Sequence, residues 1–154
     1  MAAVLSFALA AALLSAALTQ SAVYEPGLAA RVDRVVSMVD GRWVLVGATG
    51  DDHDRVHQWR HMNDIMTMQV RQFATAQDAE GHVRGILGTL GVKPAESLKV
   101  GSFAARIEWG DGRSSVYLAA GRAAVVISAP TADLSRKLSR RAVLEFTERI
   151  SAAR

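Results

Sequence analysis

Three short runs near the C-terminus constrain the fold most. They are residues 103–109 (FAARIEW), 113–119 (RSSVYLA) and 122–128 (RAAVVIS), separated by Gly110-Asp111-Gly112 and Ala120-Gly121. Each is apolar and β-branched enough for a strand, and the turns between them are too short for a crossover. Strands joined this tightly can pair only antiparallel, because a parallel neighbour needs a connection of about a dozen residues. In the first run Phe103, Ala105, Ile107 and Trp109 share one side, with Arg106 and Glu108 on the other. Pro130-Thr131 then starts a helix, with Leu138, Ala142, Phe146 and Ile150 on its buried face and Arg136, Lys137, Arg140 and Arg141 outside.

A similar order precedes it. Residues 65–73 (IMTMQVRQF) alternate like a strand, with Met66, Met68 and Val70 on one side. Thr75 then caps a helix, with Asp78 placed as in a capping box and Gly91 as the stop. Ala76, Ala79, Val83, Ile86, Leu87 and Leu90 form its apolar face, and Gly81, Gly85 and Gly88 the opposite one. Upstream, RVVSMVDGRWVLVGA puts two apolar runs around Asp40-Gly41, the pair favoured by a type I′ hairpin. That reading is preferred here to a helix over Leu28–Val39, whose Leu28, Val32, Val35 and Val39 also fit a helical stripe. Asp40-Gly41-Arg42 then aligns with Asp111-Gly112-Arg113 and Gly50 with Gly121, suggesting two βββα units with a His-bearing insert at about 50–64. The expected fold is α+β: an N-terminal hydrophobic helix, then a mainly antiparallel sheet of about six strands with two helices on one face. Residues 34–154 would form one domain, after a linker at 25–33. Trp43–Val46 and Ala123–Ile127 are apolar on both sides, so both predict cover on both faces of the sheet.

Residues 1–24 contain no charged side chain and are rich in Ala and Leu. They read as a signal peptide or a membrane anchor, cleaved near residues 17–22 or retained as a transmembrane helix. The n-region lacks a basic residue, and Arg31 and Arg34 follow the segment, so sidedness stays open; export to the cell envelope or periplasm is the favoured reading. The chain has no cysteine, which excludes disulfides, thiolate metal sites and thiol nucleophiles. Its excess of positive charge lies in residues 131–154, on one helix, while residues 1–130 are balanced. That excludes a nucleic-acid-binding domain.

Candidate chemistry concentrates in residues 43–61. Val44–Gly50 (VLVGATG) resembles the strand-to-loop opening of nucleotide-binding Rossmann domains. The third glycine position is His53, however, Asp51 and Asp52 would meet the phosphates, and no alternation of strand and helix follows. The segment therefore reads as a strand ending in a glycine turn. His53, His57 and His61 recur every four residues and would form one stripe on a helix, a spacing suited to Zn or Cu, with Met62, Met66 and Met68 nearby as soft donors. If the segment is extended, His57 and His61 keep a common side and His53 falls in a turn. No hydrolase, phosphate-loop or metalloprotease motif occurs. The expected function is that of a non-enzymatic accessory or binding protein of the bacterial envelope, tethered by residues 2–23, engaging a protein partner and needing no cofactor. Two alternatives stand beside it. One is a metal-binding (Cu/Zn) envelope protein using the three histidines. The other is a carrier of an apolar ligand lined by Trp43, Leu45, Ile107, Trp109 and Phe146.

Overall fold

The computed structural model describes residues 27–147; the N-terminal apolar segment and Ile150 lie outside them. The fold is α+β, and the described residues form three helices and a seven-stranded sheet whose paired neighbours all run antiparallel. The chain runs through α1 (Leu28–Val39), β1 (Val44–Gly50), β2 (Asp54–His61), β3 (Asp64–Gln72) and α2 (Ala76–Leu90). It continues through β4 (Glu96–Ser97), β5 (Phe103–Glu108), β6 (Ser114–Ala120), β7 (Ala123–Ala129) and α3 (Ala132–Thr147). The sheet order is β1-β2-β3-β7-β6-β5-β4. The expected meander is therefore present as β5, β6 and β7, and Gly112 and Gly121 supply the positive φ their turns need (83° and 56°).

Two helices lie on one face of the sheet. They are α1 and α3, which close over Trp59, Met66, Met68, Val70, Val116, Leu118, Val125 and Ile127. The alternate residues of the same strands, Tyr117, Ala119 and Ala124 with Ile107, form a second cluster under Val83 of α2. Strand periodicity explains the split, since residues i and i+2 share a face and i+1 takes the other. The β6–β7 register keeps Val116 with Ile127 on one side and Tyr117 with Val126 on the other. The apolar run Ala123–Ile127 thus has cover on both faces, as its composition requires.

Residues 28–39 correct the hairpin expectation. They form a helix that buries Leu28, Val32, Val35 and Val36 along one stripe. Tertiary burial of that stripe outweighs the β-preference of adjacent valines. The expected linker at 25–33 accordingly gives way to helix from Leu28. Asp40-Gly41 forms the helix-to-strand turn: the Asp40 carboxylate accepts the Arg42 backbone N–H at 3.1 Å, and Gly41 is not among the residues with positive φ. A type I′ turn would have needed positive φ there. The second correction follows from the first. Residues 54–61 are not an insert but β2, so the first βββα unit is β1–β2–β3–α2 and the second β5–β6–β7–α3. Both helices begin as expected, with Thr75 Oγ1 accepting from Asp78 N and Thr131 Oγ1 from Leu134 N.

Candidate interaction edge and the histidine-bearing strand

β2 pairs with β1 on one side and β3 on the other, and its alternation decides the fate of each histidine. His57 and Trp59 face α1 and are buried, opposite Met68 and Met66 of β3. Val56, Gln58 and Arg60 face outward and are exposed. His57 Nδ1 lies 2.8 Å from Asp33 Oδ1 on α1, a polar tie between helix and sheet. Its Nε2 is buried with no hydrogen-bond partner. The Trp59 ring stands tilted beside it at 5.6 Å.

His61 shares the His57 side of the strand but sits at its far end, 5.7 Å from the Trp43 ring. His53 falls in the exposed β1–β2 turn, where its backbone N–H donates to Asp51 Oδ1 at 2.7 Å. The helical stripe is therefore not formed; the segment is extended, and the three histidines are spread from one end of the strand to the other. Among the described residues no group of three or more His, Cys, Asp or Glu side chains is placed to hold a metal ion. The methionines also separate: Met66 and Met68 are core, and Met62 stands exposed in the β2–β3 turn with φ 54°. The five residues expected to line an apolar cavity do not share one. Ile107 and Trp109 belong to the core under α2, Phe146 to the core under α1 and α3, and Leu45 is exposed.

At the His61 end the α1–β1 turn, the β2–β3 turn and the start of α3 enclose an open cleft of about 520 Å³. Trp43, His61, Asp40, Arg42, Asp64, Asp133 and Lys137 line it. Most of its charge is already spoken for. The Arg42 guanidinium, hydrogen-bonded to Asp40 at 2.8 Å, holds that carboxyl down at about 2. Lys137 lies 2.8 Å from Asp133 and lowers it in the same way. The Thr131 hydroxyl, also in the lining, is used as the N-cap of α3.

Sequence reasoning missed what the topology does to β1. It is an edge strand, and six of its seven residues are exposed on both faces. Val44, Leu45 and Val46 retain 64%, 42% and 50% of their surface, and Val56 of β2, opposite Thr49, is exposed as well. The apolar VLV run that predicted two-sided burial is instead uncovered. The signal was present as a strand apolar on both sides, and among the described residues no helix covers it. A backbone bulge at Val46 shifts the β1–β2 register between Leu45 and Gly47. The other edge is guarded differently: β4 is two residues long, with Pro94, Lys93 and Lys99 around it. No family model, curated protein or solved structure matches this chain.

The start of α1 lies near the end of β1, at the β1–β2 turn. A Cβ at Gly27 would stand 3.7 Å from Asp52 Oδ1, so the first described residue sits beside the β1–β2 turn. Among the described residues no helix is long and apolar enough to cross a membrane.

Proposed function

We propose that this chain is a non-enzymatic binding or accessory protein of a bacterial cell envelope, held at the membrane by residues 2–23, with β1 as the docking strand for a protein partner. The observation that carries the reading is the exposure of an uncharged, apolar edge strand. Such an edge presents unpaired N–H and C=O groups to any extended segment, and soluble proteins ordinarily blunt it with charge, proline or cover. Its position beside the point where the chain emerges from its uncharged N-terminal segment supports a tethered role. Partner recognition by an added strand needs no cofactor and no catalytic group.

The test is fractionation of full-length protein expressed in its own cell type, followed by intact-mass measurement. The expected result is protein in the membrane fraction with its N-terminus retained, or protein outside the cytoplasm processed near residues 17–22. Deleting residues 2–23 should move it to the soluble fraction. An intact N-terminus on protein found wholly in the soluble cytoplasm would sink the reading.

A further inference from the structure

We infer that the partner of β1 is a second copy of this chain, with two β1 strands pairing antiparallel about a twofold axis at Ala48 to join two sheets into one. The inference names the occupant of the edge just described and so rests on that reading of β1. The hydrogen bond from Asp51 N to Asp54 O fixes which β1 groups are used within the sheet. Antiparallel pairs alternate between bonded and non-bonded, so Thr49 bonds Val56, while the N–H and C=O of Ala48 and Gly50 point away from β2. Ala48 of one copy can then exchange both backbone hydrogen bonds with Ala48 of the other.

The bulge sets the rest of the register. With Val46 as the extra residue, Leu45 of one copy comes opposite Gly50 of the other, and both lie on the sheet face that carries α1. A straight strand paired about Ala48 would set Leu45 opposite Asp51 instead, so the bulge places Leu45 beside a glycine rather than a carboxylate. Leu45 and Ala48 from both copies then form one continuous apolar strip.

Charge complementarity selects the second copy and its direction. Val44–Gly50 carries no charge, but Arg42 precedes it and Asp51-Asp52 follow it. Antiparallel pairing brings Arg42 of each copy within a residue of Asp52 of the other, twice by symmetry; parallel pairing would set like charges together. Asp40 holds the Nε and Nη2 of Arg42, but the side chain is 73% exposed and its Nη1 is left for Asp52 of the other copy, which has no ion-pair partner among the described residues. The twofold is perpendicular to the sheet, so it keeps the α1 face on one side in both copies. The two Gly27 residues, where the described chain begins, therefore lie toward the same face, as two chains held in one membrane require. A strand-edge contact of this size is weak alone, well under about 1,000 Å². Confinement to a membrane raises the effective concentration enough to populate it.

The absence of cysteine makes the test direct. Full-length Ala48→Cys in native membranes, under mild oxidation, should give a disulfide-linked dimer at least tenfold faster than Ser37→Cys or Thr89→Cys, which are exposed on α1 and α2. Bonded antiparallel pairs hold Cα atoms about 5.5 Å apart, inside the disulfide range. Arg42→Asp in the Ala48→Cys background should slow cross-linking severalfold, and adding Asp52→Arg should restore it. Cross-linking at position 48 no faster than at the two controls, or an adduct containing a different polypeptide, would overturn the inference. Loss of the cross-link in protein that still fractionates with membranes condemns the dimer alone, whereas a soluble protein that still cross-links at Ala48 condemns only the tether.

Discussion

At the level of single residues, the carboxylates are matched to arginines more closely than composition suggests. Glu96 accepts from Arg136 and Arg106, at 2.7 and 3.0 Å, and both lower its pKa from the ordinary 4.5. For Asp54, partial burial pushes the carboxyl up, but hydrogen bonds from Gln69 and Arg71 outweigh it and the net shift is downward. A carboxyl whose folded pKa lies below its unfolded value stabilises the fold above the unfolded pKa, and that contribution disappears as pH falls through the folded pKa. With Asp40 held at about 2 and the other two lowered from 3.8 and 4.5, the loss falls between about pH 4.5 and 2. His82 adds an earlier step. Burial, then the Arg71 charge, lowers its pKa below 6.5, so the folded form resists its protonation and stability begins to drop as pH falls past 6.5. Urea titrations across pH should show a shallow decline starting near 6.5 and a steeper one below 4.5, and His82→Gln should remove only the first. Because these groups are largely exposed, solvent screens each contribution and the total stays modest. None of these pairings was legible in the sequence: Glu96 and Arg136 are 40 positions apart and meet only because β4 and α3 flank the same sheet edge.

Among the elements, what the sequence disclosed depended on whether local signals agreed with tertiary burial. α2 was readable end to end, because Thr75, Asp78, its apolar stripe and Gly91 (φ 63°) all speak for the same helix. α1 was misread because its valines and the Asp-Gly pair carry a genuine local β-hairpin signal, while the sheet surface that pulls them into a helix is contributed by strands far along the chain. β2 was misread as an insert because four-residue histidine spacing suits one face of a helix and one face of a strand equally well. The glycines give a test at this scale. Gly81, Gly85 and Gly88 lie on the open side of α2, where an added Cβ meets nothing within 4 Å. Gly88→Ala should therefore stabilise the protein by about 0.5–1 kcal/mol, through helix propensity and a less flexible unfolded chain. Gly50 has φ 101°, and a Cβ there would stand 1.9 Å from the Asp54 carbonyl oxygen. Gly50→Ala should destabilise by on the order of 1–3 kcal/mol and loosen the β1–β2 turn. Opposite signs from one substitution type, measured by chemical denaturation, are expected; equal signs would contradict the placement of one of the two elements.

For the molecule as a whole, the antiparallel α+β class was legible because short alternating runs with glycine turns leave few other arrangements. The order of the strands was not, since nothing local says that β3 pairs with β7 and closes the two βββ units edge to edge. That pairing, from Thr67–Ser128 to Gln72–Ala123, puts β3 and β7 at the centre and sends β1 to the rim. The candidate site follows from this topology alone, which is why residue spacing pointed to the histidines while the exposed surface lies one strand further out. A gradient of local stability follows as well. β7 has helices over both faces and a strand on either side, β3 has Met66, Met68 and Val70 fully buried under the α1–α3 face, and β1 has neither cover nor an outer neighbour. Opening free energy tracks buried apolar contact and shielding of backbone hydrogen bonds. Hydrogen exchange of the domain in dilute monomeric conditions should therefore be slowest in β7 and β6, intermediate in β3 and β2, and fastest in β1, where amides bonded to β2 can open without disturbing either core. Raising the protein concentration, or restoring the membrane, should slow exchange selectively at Ala48 and Gly50, whose amides point away from β2 and have no partner among the described residues. Protection of those two amides that is already complete in dilute monomer would mean the edge is covered from within the chain.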